Sequence, residues 1–432
     1  MKILVCGAQG FIGAALCQEL RQQGHEVSMG LRQPFAANQL ACDFSQTLSC
    51  VEWQQRLMEL GVPDLLINAI GSHLNASETQ LRQVHYHAPL ALFEGAARAG
   101  VRACVQISAL GQAELSSFIA SKQALDVELL KLPMTSLVLR PSLVVAEAGL
   151  SSRALRQLAL LPRLLVPQAA GPIQPVSLSD VCALVSNFVC QLDQAEFKLA
   201  SQVIVAAGPE VLSFHAMQAR YRSVLGLPPA PVWTVPASLM TGLASVASLN
   251  PASLLTPASW RLLRAGNQAK LAEQQQMQRL LGRRARPFEY DLQAYPSHLL
   301  RAHALTQWMR ASAIAVLSFI WLSTAWISAL VFPIQQSYAL LAMAGVPASW
   351  QATLLSSACA LDLSLGLACY IMPGRRLWLA QMGLILGYSG FIALALPEFY
   401  RHPFAPIIKN LAILSLLAYL YLSEEPSLPD KS

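Results

Sequence analysis

Three evenly spaced glycines mark the segment best suited to chemistry: Gly7-Ala8-Gln9-Gly10-Phe11-Ile12-Gly13. The short apolar run Lys2–Cys6 precedes them, and a helical pattern follows from about Phe11 to Gln23. Glycines at this spacing let the chain turn tightly, let a diphosphate approach the backbone, and let the helix pack closely on the strand. The free amide hydrogens and positive dipole end of the helix then face the phosphates. Gly7, Gln9, Gly10, Phe11, Ile12 and Gly13 are therefore expected to line a dinucleotide. A second determinant falls at the end of the next strand, His25–Leu31. NAD sites usually place a carboxylate there for the ribose hydroxyls. Met29-Gly30-Leu31-Arg32 has none, and Arg32 suits a 2′-phosphate. NADP(H) is expected over NAD(H).

The elements that would position these residues alternate in type. Strand-like runs recur at Asp64–Ile70, Ala103–Ser108 and Ser136–Arg140, separated by helical pattern. Strands that are apolar without alternation indicate a parallel sheet covered on both faces. The fold class is α/β: a Rossmann-type doubly wound parallel sheet with a small substrate lobe, followed by an all-α transmembrane bundle of about four helices. The expected division is a nucleotide-binding domain with lobe insertions over 1–228, the rest of the lobe and a linker over 229–305, a membrane domain over 306–423 and a tail over 424–432.

The membrane assignment comes from composition. Hydrophobic residues make up 54% of the 432-residue chain and charged residues only 12%, and mean hydropathy is +0.43. Soluble domains carry about 25% charged residues, so part of the chain belongs in lipid. The deficit is local: no Asp, Glu, Lys, Arg or His occurs from Ala311 to Leu361. Ala311–Phe332 is long enough to cross a hydrocarbon core of about 30 Å. Gln351–Met372, Leu377–Pro397 and about Pro406–Leu422 follow, and Pro333–Trp350 has room for a short interfacial helix. Trp308, Trp321, Trp326, Trp350 and Trp378 include several at span ends, as an aromatic belt requires.

Other chemistries find less support. The nine cysteines form no C-x-x-C pair and read as buried thiols in a reducing compartment. His85 and His87 lack a third ligand nearby, so no metal site is expected. Arg279, Arg283, Arg284 and Arg286 are not interleaved with aromatics and read as a solvated turn near anionic headgroups, not a nucleic-acid site. The apolar run at Met1–Gly13 is too short for a secretory signal, so the N-terminal region is expected in the cytoplasm.

Several further segments resemble the atypical short-chain dehydrogenase/reductases of the NmrA-like type, related to the nucleotide-binding accessory subunit of respiratory complex I. Asp43 in Ala41-Cys42-Asp43-Phe44 stands where that family binds the adenine amine. Asn68-Ala69-Ile70-Gly71 matches the stretch lying along the cofactor. Ala96–Val101 leads into Gln106-Ile107-Ser108-Ala109-Leu110-Gly111, the strand that carries the family's active-site serine. Leu139-Arg140-Pro141-Ser142 resembles the turn beside the nicotinamide. Pro175–Val181 and Gly208–Leu212 resemble later segments, so the likeness covers roughly Met1 to Pro296. It implies cofactor contacts from Asp43, Asn68, Ala69, Gly71, Lys122 and Pro141.

The family's proton chemistry uses a Tyr-x-x-x-Lys pair one helical turn apart. The lysine lowers the tyrosine pKa and holds the ribose, while the tyrosine exchanges a proton with the substrate. Here the segment reads Phe118-Ile119-Ala120-Ser121-Lys122, so Ser108 and Lys122 are present but a phenyl ring replaces the acid. His85 stands where the family often has a bracing asparagine. Three readings remain open: a nucleotide-holding scaffold, an oxidoreductase that draws its proton from elsewhere, and an assembly factor or sensor whose partner reads the nucleotide.

The C-terminal region, about Thr306 to Ser423, resembles the DoxX-like membrane family. The marker is Pro397 to Leu411, which contains Pro403-Phe404-Ala405-Pro406 and Lys409-Asn410. The resemblance implies a quinone or membrane redox partner beside the nucleotide cofactor and the lipid bilayer. Asp362 lies near the middle of the second span, where a carboxylate is costly and usually paired or protonated, with Lys409 and Asn410 as candidate partners. Arg301, Arg310, Arg375, Arg376 and Lys431 place both termini inside by the positive-inside rule, against the smaller counterweight of Arg401 and Lys409. The expected location is the cytoplasmic membrane, multi-pass, with the nucleotide-binding domain in the cytoplasm.

Overall fold

Successive side chains of β1 (Lys2–Cys6) point to opposite faces, and both faces are apolar. Ile3 and Val5 enter one buried cluster and Leu4 and Cys6 the other. A strand built this way has to lie inside a sheet covered on both sides. β1 pairs in parallel with β2 (Glu26–Leu31) on one side and β4 (Leu65–Asn68) on the other. β3 (Gln39–Ala41), β5 (Ala103–Ile107), β6 (Thr135–Pro141) and β7 (Gln202–Ala206) complete a seven-stranded sheet of order β7-β6-β5-β4-β1-β2-β3. Every pairing is parallel. The order reverses between β1 and β4, which opens a crevice at the carboxyl ends of those strands.

The structure is a computed structural model that describes residues 1–36, 38–71, 76–194, 199–250, 253–401 and 407–424, with the backbone alone at Arg401. The expectations placed on 402–406 and on Lys431 lie outside the described residues. The chain divides into two compact units, Met1–Ala304 and Leu305–Ser432.

In the first unit the helices Phe11–Gln22, Leu178–Gln194 and Leu271–Leu281 cover one face of the sheet. Leu16, Leu20, Val185, Phe188, Met277 and Leu280 supply their part of that core. Cys50–Leu60, Ala88–Ala99 and Ser117–Leu129 cover the other through Trp53, Leu57, Leu92, Phe93, Leu125 and Leu129. A smaller lobe packs around Phe214, Met217, Tyr221, Phe288 and Leu292, with a two-stranded parallel sheet of Leu164–Pro167 and Val232–Val235. β3 and β7 are absent from the sequence reading. β3 has only three residues, too few for a periodic pattern, whereas Gln202-Val203-Ile204-Val205-Ala206 carried a readable apolar run.

Among the described residues, three helices are long and apolar enough to cross a membrane: Ser297–Val331, which begins in the first unit, Ala348–Ile371 and Arg375–Ala395. Only 17–22% of their most apolar windows is buried within the protein. Outward residues such as Phe319, Leu330 and Leu394 instead require an apolar solvent. Asn410–Ser423 is apolar but has 14 residues, about 21 Å at the α-helical rise and short of the core thickness alone. Ile334–Met343 forms the short helix expected in the uncharged connection.

Polar contacts tie this unit together. Trp321 Nε1 donates to Gln381 Oε1 at 3.0 Å, and Gln381 Nε2 donates to Cys369 Sγ at 3.4 Å. Trp321 and Trp378 are buried, so they are not belt residues, unlike the exposed Trp308, Trp326 and Trp350. Arg310 Nη2 at 2.6 Å and Trp378 Nε1 at 3.2 Å both donate to Glu424 Oε1, while Arg375 Nη2 donates to the Glu424 carbonyl at 2.9 Å. Burial works to raise the Glu424 carboxyl, but its Arg310 and Trp378 hydrogen bonds and the charges of Arg310 and Arg375 outweigh it and hold it below the usual range. The amide of Asn410 donates to Ser389 Oγ at 3.0 Å. No hydrogen bond or ion pair joins Asp362 to Lys409 or Asn410, so the expected clasp is replaced by this one.

Close helix packing on the second face leaves no room at Gly95. A Cβ there would lie 2.6 Å from the Cys50 carbonyl oxygen and 2.7 Å from Trp53 Cβ. Gly95→Ala should lower stability by about 1–3 kcal/mol, the usual cost of overpacking. Thermal unfolding of the purified full chain checks this, and an unchanged midpoint would contradict the close approach.

Candidate functional site

The turn after β1 has a geometry that only glycine permits at two points. Gly7 has φ +80°, and a Cβ there would lie 3.0 Å from the carbonyl carbon of Ala69 and from Ile70. A Cβ on Gly13 would come within 2.1 Å of the Gly7 carbonyl oxygen. Gly10 caps the helix from an extended conformation, and its amide donates to the Gly7 carbonyl at 2.9 Å. Gln9 and Gly10 are exposed, Phe11 and Ile12 half-buried, and Gly13 buried. The first amides of a helix have no intrahelical acceptor, and here they open at the crevice between β1 and β4. A cradle lacking side chains, at a helix N-terminus and a topological switch, fits a diphosphate.

The two residues expected around the adenosine are neighbours. Arg32 is exposed immediately after β2 and Asp43 follows β3 by two residues. Hydrogen bonds from the Ser45 hydroxyl at 2.7 Å and amide at 3.0 Å hold the Asp43 carboxyl below the usual range, and Arg32 adds a smaller pull. Asn68 is buried and already committed: its amide donates to Gln106 Oε1 at 2.8 Å and its carbonyl accepts from the Ile70 amide at 3.1 Å. It shapes the turn that carries Ala69 against Gly7, while Gly71 is exposed. Pro141 is buried at the end of β6, where its carbonyl accepts from the Leu110 amide.

The expected reaction centre contains more charge than the motif suggests. Ser108 Oγ donates to Asp126 Oδ2 at 2.8 Å, and Arg140 Nε donates to the same oxygen at 2.8 Å. Asp126 is fully buried and its other oxygen has no partner. Burial pushes its carboxyl up, against the pull of Arg140, Ser108 and Lys122. Asp126 and Arg140 were not singled out as site residues. The available signal was Lys122-x-x-x-Asp126, which puts both groups on one helix face.

Lys122 Nζ donates to the Ile107 carbonyl at 2.9 Å and the Ile70 carbonyl at 3.4 Å, and lies 5.7 Å from the centre of the Phe118 ring. Burial lowers its pKa to about 8, against the Asp126 charge. His85 packs edge-on against Phe118, with ring centres 4.9 Å apart. It sits in the widened turn Gln83–His87, where the Ala88 amide reaches back to the Gln83 carbonyl. Pro89 has no amide hydrogen for the His85 carbonyl, which is the local cause of the widening. Ser121 Oγ donates to the Phe118 carbonyl at 3.1 Å and forms a hydrogen bond at 3.1 Å with His85 Nδ1. Burial, then the Lys122 charge, lowers the His85 pKa to about 3. The site thus joins Ser108, Phe118 and Lys122 to His85, Asp126 and Arg140, and a neutral imidazole covers the phenyl ring.

Residues 3–122 match the model of the NAD dependent epimerase/dehydratase family, and residues 318–418 that of the DoxX-like family. Among solved structures, a UDP-glucose 4-epimerase from Stenotrophomonas maltophila with bound NAD and formylated UDP-arabinopyranose is 17% identical. The match has a TM-score of 0.52 and covers 71% of this chain and 99% of that one. A UDP-glucose 4-epimerase from Thermotoga maritima with UDP-glucose is 15% identical at a TM-score of 0.51, covering 70% and 99%. No curated protein matches the chain. The chain therefore joins a nucleotide-binding domain of epimerase/dehydratase type, with its parallel sheet, to a DoxX-like membrane domain.

A histidine that titrates near 3 when folded and near 6.5 when unfolded takes up its proton only in the unfolded chain between those values. Stability from this group is intact above pH 6.5 and falls away as pH drops toward 3. His85→Gln should flatten the acid limb of the unfolding midpoint against pH. An acid limb identical to the parent's would show that His85 is not held neutral.

Proposed function

We propose that the protein is a membrane-anchored NADP(H)-binding module whose site holds the nucleotide without the proton relay of its relatives. The observation that carries this is Phe118 one helical turn before Lys122, with the Ser108 hydroxyl already donated into Asp126. Bound nicotinamide would supply hydride chemistry, but the residues here offer it no tyrosine and only an engaged serine. The NAD dependent family match supports a nicotinamide dinucleotide as the cofactor class. Gly7, Gln9, Gly10, Phe11, Ile12 and Gly13 hold the diphosphate, Arg32 the 2′-phosphate and Asp43 the adenine amine. Ala69, Gly71 and Pro141 border the cofactor, Asn68 shapes the wall beside it, and Lys122 takes the ribose by exchanging a carbonyl contact for a hydroxyl. The module sits on the cytoplasmic side of the cytoplasmic membrane, with the positive charges at the Arg310 and Arg375 end of the bundle facing inward.

One observation favours a second reading, an NADPH-dependent oxidoreductase serving a quinone or other membrane redox partner. The lysine lowered to about 8 titrates in the range where a general acid works best. In that enzyme Lys122 donates the proton that the family's tyrosine would give.

Arg32→Ala tests the nucleotide preference common to both readings, and Phe118→Tyr with Lys122→Met separates them. Arg32→Ala should cost the NADPH complex on the order of 1.5–3 kcal/mol, the worth of one charge-assisted contact, and leave NADH binding little changed. Calorimetry checks it, and equal affinity of the parent protein for both nucleotides would refute the preference. Phe118→Tyr restores the missing hydroxyl, and general acid assistance contributes about 10²–10⁴-fold in rate. Steady-state NADPH oxidation across carbonyl compounds and quinones should be near zero in the parent and measurable in the variant. Robust turnover by the parent, abolished by Lys122→Met, would establish the second reading.

A further inference from the structure

The smaller lobe of the first unit carries apolar side chains that remain exposed among the described residues. In the helix Ala237–Ala247, Met240 and Ala244 are buried against Trp260, whose Nε1 donates to Thr241 Oγ1 at 3.1 Å. A separate stripe around the helix, Leu239, Leu243 and Val246, is 54%, 45% and 68% exposed. Trp233 on the adjoining strand is 64% exposed, and Leu249 just past the helix 83%. Exposed large apolar side chains gathered on one short helix and its flanks mark an interaction surface.

The stretch of chain that builds this face carries charge of one sign, although the exposed Glu114 belongs to the short turn Ala113–Leu115 packed near the helix Pro257–Ala265. From Val211 to Ala272 the chain contains no Asp or Glu. Arg220 is spent on Glu210 and Glu289, and Arg222 on backbone carbonyls. Arg261 and Arg264, on the helix that packs against the patch helix through Trp260, are exposed and form no ion pair. An apolar stripe with a tryptophan and flanking unpaired arginines matches the interface of an anionic bilayer. On the membrane reading of the second unit, this unit is also tethered to a bilayer, because the uncharged segment begins at Ala311, soon after the unit ends at Ala304.

We propose that the stripe Leu239, Leu243, Val246 and Leu249, with Trp233, lies in the headgroup–acyl boundary of an anionic phospholipid leaflet. Arg261 and Arg264 meet the headgroups. This is a second membrane contact, made by the nucleotide-binding unit itself and separate from the spans. It rests on the membrane reading of the second unit and not on the cofactor.

The test uses the full chain with Cys50, Cys190 and Cys359 replaced by alanine, in phosphatidylcholine nanodiscs with or without phosphatidylglycerol. An environment-sensitive fluorophore is attached at Leu249→Cys, at Val127→Cys on the exposed side of Ser117–Leu129, or at Leu330→Cys on the first span. Lipid carrying an acyl-chain nitroxide should quench the label at 249 severalfold more than that at 127. Omitting phosphatidylglycerol, or introducing Arg261→Glu with Arg264→Glu, should reduce that quenching. Quenching at 330 with none at 249 above the level at 127 would overturn the proposal. A blue-shifted label at 249 without lipid quenching would overturn it in favour of a second copy of the chain. Loss of quenching at 330 as well would remove the membrane reading itself.

Discussion

The contact on which the nucleotide-binding unit depends is an approach of backbone to backbone. The Gly7 carbonyl occupies the space that any side chain on Gly13 would need, at 2.1 Å from a built Cβ. That approach lets the helix Phe11–Gln22 start immediately above β1 and aim its amides at the crevice where the strand order reverses. The same economy holds the neighbouring strand. A Cβ on Gly30 would meet Cys42 Sγ at 2.8 Å and the Cys6 α-carbon at 3.0 Å, so β2 lies tight against β1 and the loop carrying Asp43. Small residues thus set the distances, and the polar groups around the crevice inherit them.

Around the expected reaction centre the sequence supplies charges in a buried environment and then engages each of them, although Asp126 Oδ1 has no partner. Asp126 accepts from Ser108 and Arg140, Lys122 caps two carbonyls, and His85 is held neutral against a phenyl ring. A buried ion pair contributes little net stability, yet removing either partner is costly because it strands the other. Such a network fixes positions more than it drives folding. It also uses the donors and acceptors that proton transfer would need free.

The strands, their parallel arrangement and the glycine turn were legible because each rests on local pattern: apolar runs of strand length, glycine spacing, and a helix start. Lys2–Cys6 and Phe11 came directly from that reading. The network around Asp126 did not, because it forms between β5, β6 and a helix, and only Lys122-x-x-x-Asp126 hinted at it. Asn68 was expected along the cofactor, but its side chain is spent on Gln106 and Ile70, a pairing across strands that residue type cannot reveal. In the second unit the three long apolar segments were readable from charge alone. Trp378 was not, since an indole at a span end can face lipid headgroups or a half-buried Glu424 with the same sequence signature, and the mid-span Trp321 turns inward onto Gln381.

The contacts of Glu424 bear on the order in which the membrane domain is built. Its partners Arg310, Arg375 and Trp378 belong to segments synthesised earlier, and the helix leading to it, Asn410–Ser423, falls short of the bilayer core by itself. A segment of that length gains little by entering lipid alone. It gains its place when the arginines of the first and third spans already wait at one end of the bundle. The position of Asn410–Ser423 therefore depends on the two helices that carry those arginines and Trp378.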